Sequence, residues 1–473
     1  MRILLVEDDL DYVKNIRYQL ANKRSDIHYT FAKSLISAEI ALRNDFYDLI
    51  ILDLKIPTED DLLDAEPEHG HLAFEYARTY APGTPIFVLT GSSPEPFLDK
   101  LLGNITQVDI WGVGKLQNIS FLQKHKFGSS FLKMVSPYID GYSAIMDVEL
   151  QGSLSEITEQ DSRLIRIFSN SKNSVKCSVK MLSGGLSGVK VVRLSLTDAN
   201  GAPLFEAVAK LGSETEVASE SSRFDNHIMR LAGAATPRKL ALVEYGAGDR
   251  FGVFYSLASG FETNAFDLAI ADDDISELVI SKIRDITQPW RDGVQETRKL
   301  VQEIRTHALE DQKFATLRGD VPFAWIEEFE QRRVQTKVGC CHGDLHGFNV
   351  LASHDGSPIL IDYGDVGHAS ASWDAVTLEL SLIFHKNGPL SKSTWPSLSQ
   401  GRQWGNLDEY LIDCPIPKFV RACRVWANAS SAGGREVAAC AYAYLMRQLK
   451  YEDTDKEKAL ALIEGAKALF DKG

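Results

Sequence analysis

The chain has 473 residues, 44% hydrophobic and 25% charged, the balance of soluble globular proteins, and its length calls for two or three domains. A formal charge of −14 argues against a large nucleic-acid footprint, and no apolar run approaches the roughly 18 residues that span a bilayer. The opening MRILLVEDD is the reverse of a secretory signal and the six cysteines are scattered without a C-x-x-C pair, so a reduced, cytoplasmic protein is expected.

In chain order, residues 2–6 form a short apolar run ending in Glu7, Asp8 and Asp9, and a second run ends in Asp53 and Leu54. Both have the pattern of buried parallel strands, and helical patterns lie between them over 10–22 and 33–43. Further strands are expected over 85–90 and 108–113, which gives a doubly wound parallel sheet. Such sheets collect functional groups at the carboxyl ends of their strands, and Glu7, Asp8, Asp53, Thr90 and Lys115 all fall there.

This constellation resembles the response-regulator receiver family, a flavodoxin-like α/β fold, over residues 1–135. Three carboxylates in one pocket repel one another, and Mg2+ with its oxygen ligands relieves that repulsion. The resemblance implies that Glu7, Asp8 and Asp53 hold the ion and that Asp53 becomes an acyl phosphate. Thr90 and Lys115 would then sense and pair with the phosphoryl group. Leu116 follows Lys115 where the family usually has proline, and the acidic stretch 57–70 is longer than usual and reads as a solvated loop.

Residues 116–138 carry the apolar face of a closing helix, ended by Pro137. The next stretch is polar with one helical pattern over 159–169, so 136–172 is expected to be linker and connecting helix. Two strand patterns, 175–182 and 189–196, then flank a glycine-rich tip containing Ser183, Gly184, Gly185, Ser187 and Gly188. A third strand over 204–210 places Lys210 among apolar residues, where an ammonium needs an anionic partner. Glu220 is the preferred partner, with Glu216 and Asp225 as alternatives.

The most specific stretch is Cys340-Cys-His-Gly-Asp-Leu-His-Gly-Phe-Asn349, followed by Ile361-Asp-Tyr-Gly364. Its H-G-D-L-H-x-x-N form resembles the aminoglycoside and choline phosphotransferase branch of the protein-kinase-like enzymes. That implies a two-lobed α+β kinase-like domain, with a small lobe over 173–262 and a mostly helical large lobe over 263–473. In that reading the glycine-rich tip and Lys210 hold ATP phosphates, and Asn349 and Asp362 hold Mg2+. Asp344 orients an acceptor hydroxyl and takes its proton, while His342 and Asp374 support the loop. Zinc at Cys340, Cys341, His342 and His346 is disfavoured by spacing.

The combined expectation is a two-component response regulator whose output is an ATP- and Mg2+-dependent phosphotransferase. Its rivals are a nucleotide-binding pseudokinase and a kinase-fold enzyme transferring a nucleotidyl group. The implied partners are a cognate histidine kinase or phosphotransfer protein, an acceptor that is not legible in the sequence and a second copy of the chain in a homodimer. Neither nucleic acid nor membrane is implied.

Overall fold

The computed structural model describes residues 1–91, 105–184, 189–231, 236–257, 260–261 and 263–473. They divide into two compact units, 1–221 with 239–257, and 222–238 with 258–473.

The first unit begins with a parallel five-stranded sheet. Its strands are β1 (Arg2–Val6), β2 (His28–Ala32), β3 (Leu49–Asp53), β4 (Ile86–Thr90) and β5 (Ile119–Gln123), in the spatial order β2-β1-β3-β4-β5. The central strands β3 and β4 are buried at every position because both of their faces are covered, and they are apolar up to the Asp53 and Thr90 that end them. Leu4, Val6, Ile50, Leu52, Ile86 and Val88 face helices α2 (Leu35–Asn44) and α3 (Pro67–Tyr80). Their neighbours Ile3, Leu5, Ile51, Phe87 and Leu89 face the opposite core, with α1 (Leu10–Ala21). The edge strand β2, HYTFA, alternates too weakly to be read from sequence.

The fifth strand differs from expectation. It is Ile119–Gln123, in parallel register with β4, whereas 107–109 and 115–117 form a separate antiparallel hairpin. Asp109 explains the change, since its Oδ1 accepts from the backbone N–H of Gly112 at 2.7 Å and of Val113 at 3.2 Å, closing a turn. Gly112 sits at φ 70°, and a Cβ there would lie 2.5 Å from the carbonyl oxygen of Ile167. Buried Ile110 and Trp111 made the run look like a strand, but they enter the core from this turn.

Helix α4 spans Ser129–Met146 and runs through Pro137 rather than stopping there. An interior proline costs about 3 kcal/mol. The helix buries Phe131, Val135, Tyr138, Ile139, Tyr142 and Ile145, each worth roughly 1.5–3 kcal/mol, so packing outweighs the lost hydrogen bond.

The chain then adds β6 (Glu149–Gly152) and α5 (Glu159–Ser171) before a hairpin of β7 (Lys176–Gly184) and β8 (Lys190–Thr197). With β9 (Pro203–Ser213), β10 (Lys239–Val243) and β11 (Arg250–Ser256) they build a six-stranded sheet in the order β10-β11-β9-β8-β7-β6. One hydrophobic core joins this sheet to the receiver-like sheet. It runs from Ile51 and Phe87 through Trp111, Tyr138, Leu164 and Phe168 to Val192, Ala209 and Phe254. Phe168 of α5 stacks on Phe254 with ring centroids 4.1 Å apart.

The second unit is mostly helical. Its long helices include Asp273–Ile286, Trp373–Phe384, Pro417–Ser430, Gly434–Gln448 and Lys456–Lys472. Strand Arg333–Cys341 lies between Gln295–Leu300 and Gly367–Ser370, and a smaller sheet pairs Val350–Ala352 with Pro358–Leu360. Among the described residues no helix is long and apolar enough to cross a membrane.

Candidate active sites

Parallel register assembles the first site. Val6 pairs with Leu52, Asp53 with Leu89 and Thr90 with Gln123, so the residues that follow these strands stand side by side at one edge. Glu7, Asp8 and Asp53 present carboxylate oxygens within 4.8 Å of one another. Asp9 takes no part, because its side chain caps α1 through the N–H groups of Asp11 and Tyr12.

The lysine at this edge is Lys124. Its Nζ lies 2.7 Å from Glu7 and 2.9 Å from Asp53, over the ring of Tyr12. Lys115 is exposed on the hairpin, so its assignment is corrected. The misplaced fifth strand shifted the expected strand end, and with it the lysine. His125 follows Lys124.

The pocket favours a cation. Glu7 is pushed up to about 7 by burial and by Asp53 beside it, against the pull of Lys124. Burial also raises Asp53 although Lys124 pulls it down, and Asp53 Oδ1 is buried without a hydrogen-bond partner. Three hard oxygen donors and one such orphaned oxygen fit a divalent ion such as Mg2+. Thr90 is buried at the end of β4.

In the six-stranded sheet, Lys210 forms an ion pair with Glu220, as preferred from sequence. Glu220 is 2% exposed, and the Tyr255 hydroxyl donates to it at 3.3 Å. Ser183 and Gly184 close β7, whereas Gly185, Ser187 and Gly188 lie outside the described residues, as do the side chains of 183 and 184.

The second unit holds the loop after strand Arg333–Cys341. Asp374, at the start of helix Trp373–Phe384, accepts from the backbone N–H of His342 at 2.7 Å and of Gly343 at 3.0 Å. His342 Nε2 donates to the carbonyl of Ile361 at 2.9 Å, tying the loop to the turn that carries Asp362. Gly343 has φ 88°, and a Cβ there would lie 2.2 Å from the Asp365 carbonyl, so only glycine lets the two segments meet.

Asp344 is partly exposed, and its backbone carbonyl accepts from Asn349 Nδ2 at 2.9 Å. That contact engages the Asn349 amide nitrogen. Asp362 is held at φ 65°, a conformation that non-glycine residues adopt at a cost and that clusters at functional sites. Sequence reasoning missed Arg447, whose Nη2 stands 3.5 Å from Asp344 Oδ1. No motif marks it, since it lies 103 positions away, on helix Gly434–Gln448.

Residues 280–390 match the phosphotransferase enzyme family. The matched segment contains the loop, Asn349, Asp362 and Asp374. Comparison with curated proteins finds no match. Solved structures similar to the N-terminal part include a CheY-like response regulator receiver domain from Methanospirillum hungatei JF-1, with 19% identity and a TM-score of 0.22, covering 30% of this chain and 96% of that one. The receiver domain of a sensor histidine kinase from Pseudomonas aeruginosa PAO1, with magnesium in its cleft, shares 22% identity at a TM-score of 0.22, covering 29% and 97%. The remainder resembles aminoglycoside phosphotransferase APH(4)-Ia bound to ADP and hygromycin B, with 10% identity and a TM-score of 0.36, covering 62% and 94%.

Proposed function

We propose that the chain is a response regulator with an enzymatic output: Asp53 accepts a phosphoryl group, and the phosphotransferase segment serves transfer of the ATP γ-phosphate to a hydroxyl. The observation that carries the first half is the convergence of Glu7, Asp8, Asp53 and Lys124 at one sheet edge. There Asp53 attacks the phosphorus of a phosphohistidine donor, the new O–P bond forms, and the donor imidazole leaves with the electron pair of the broken P–N bond. Lys124 offsets charge on the phosphoryl oxygens, and Thr90 takes the sensing role.

For the second half, Asp344 receives the acceptor's proton as its oxygen bonds to the γ-phosphorus, and the bond to ADP breaks with the pair leaving on ADP. Lys210, fixed by Glu220, engages the α/β-phosphates. Asn349 and Asp362 would hold Mg2+, which would supply neutralisation of the charge on the ATP phosphates. The complete set of Lys210, Asp344, Asn349 and Asp362 favours turnover over a pseudokinase.

Acetyl phosphate labelling tests the receiver. Labelling is expected to vanish in Asp53→Asn and to fall at least about tenfold in Lys124→Ala, while Lys115→Ala labels normally. Full labelling of Lys124→Ala with loss in Lys115→Ala would restore the original lysine. Coupling is tested by ATP turnover with and without beryllofluoride, an acyl-phosphate mimic. The rate is expected to change, because the receiver-like sheet and the sheet that carries Lys210 share one core. Equal rates with the mimic bound at Asp53 would reduce the receiver to a localisation device.

A further inference from the structure

Arg447 belongs to the end of helix Gly434–Gln448, and its contact with Asp344 differs from the ion pairs that hold this unit together. Arg424 grips Glu379 through two nitrogens at 3.0 and 2.7 Å, with side chains 5% and 1% exposed. Arg305 grips Glu330 in the same way, at 3.0 and 2.8 Å. These are buried clamps. Arg447 instead reaches Asp344 through one nitrogen at 3.5 Å, with side chains 25% and 34% exposed, so water and ligand can enter the pair.

Two imidazoles, both held toward the neutral form by burial, also stand near Asp344. His346 Nε2 is 3.7 Å from Asp344 Oδ2, and the ring of His385 lies 4.5 Å from that of His346. On the far side of the loop, Trp373 donates to the carbonyl of Gly343 and helps to line a cavity of about 280 Å³ with Lys299, His307 and His368. The single acid lining that cavity, Glu303, accepts from the backbone N–H of Leu300 and so caps its own helix.

We propose that the hydroxyl acceptor carries an anionic group, a carboxylate or a phosphate, which Arg447 receives while Asp344 takes the proton from the hydroxyl. The inference rests on the phosphotransferase reading above and adds a substrate class to it. A guanidinium matches the planar, two-oxygen face of either anion, and the same guanidinium repels a polycationic acceptor from the base. Arg447 is thereby a specificity-determining residue that acts on the acceptor.

The test is ADP formation by the full chain with Mg·ATP and four sets of alcohols: hydroxy acids, sugar phosphates, neutral polyols and aminoglycosides. Stimulation is expected only from the first two, and comparing them separates carboxylate from phosphate. Arg447→Gln is expected to raise KM for the stimulating acceptor at least about tenfold while KM for ATP stays within about twofold, and Arg447→Lys should recover part of the loss. A general folding defect would move both constants. Stimulation by polyols or aminoglycosides, an unchanged acceptor KM in Arg447→Gln, or no response to any anionic alcohol overturns the proposal. Calorimetry separates the two levels: a chain that binds Mg·ATP but fails these tests loses the anionic acceptor alone, and one that does not bind Mg·ATP loses the phosphotransferase reading.

Discussion

Asp344→Asn is expected to lower phosphoryl transfer by about 10²–10⁴-fold while Mg·ATP still binds. An amide can hold the acceptor hydroxyl but cannot take its proton, and the backbone carbonyl of residue 344 that Asn349 uses is unchanged by the substitution. The braces around the loop, from Asp374 to the N–H groups of His342 and Gly343 and from His342 to Ile361, do not pass through the Asp344 side chain. Geometry should therefore survive. Single-turnover transfer from labelled ATP, alongside calorimetric ATP affinity, makes the measurement. Transfer within about twofold of wild type would point to another base or to different chemistry.

Asp161→Ala should destabilise the first unit by about 3–5 kcal/mol, the usual cost of removing one partner of a buried ion cluster. Asp161 is fully buried in α5, and its carboxylate receives Arg250 at 2.7 Å and Lys190 at 2.8 Å, one from each of two strands of the six-stranded sheet. It also completes a capping box with Thr158 at the start of α5. From the same helix, Arg163 lies 3.4 Å from Asp48 at the foot of β3 and donates to the Tyr142 hydroxyl at 2.8 Å. Losing Asp161 leaves two cations facing a buried void, so α5 should loosen from both sheets. The urea midpoint of the full chain reports this, and a loss under about 1 kcal/mol would show that the cluster contributes little.

The sign of its pH dependence follows. Burial alone would raise the Asp161 carboxyl, but Lys190 and Arg250 hold it below the usual range. A lowered folded-state pKa means the stabilisation is present above the unfolded value of about 3.9 and is lost as pH falls through the folded one. The difference in stability between wild type and Asp161→Ala should shrink below about pH 4.

Much of both sites was legible because their chemistry is written in short, fixed spacings. Glu7 and Asp8 follow an apolar run, Asp53 ends another, and the stretch from His342 to Asn349 spans a single loop. That Lys210 needs a nearby acid could be read as well, since a cation within an apolar strand requires one, but the choice of Glu220 over Glu216 and Asp225 came from the structure. The receiver lysine was not legible. The apolar pattern assigns 108–113 to the last strand and 119–123 to the closing helix, and it cannot see that Asp109 turns the first of them back on itself so that the second takes the place in the sheet.

By itself, then, the sequence determined the parallel sheet, the acidic edge, the pairing of β7 with β8 and the loop from His342 to Asn349, because each depends on periodicity or on contacts between residues close along the chain. Only the tertiary structure decided which lysine meets Asp53, that α4 passes through Pro137, that α5 is the buried core between two sheets, and that Arg447 reaches Asp344. These four results share a cause. Each is set by packing between segments far apart in sequence, where burying several large side chains outweighs a local preference worth about 3 kcal/mol or less.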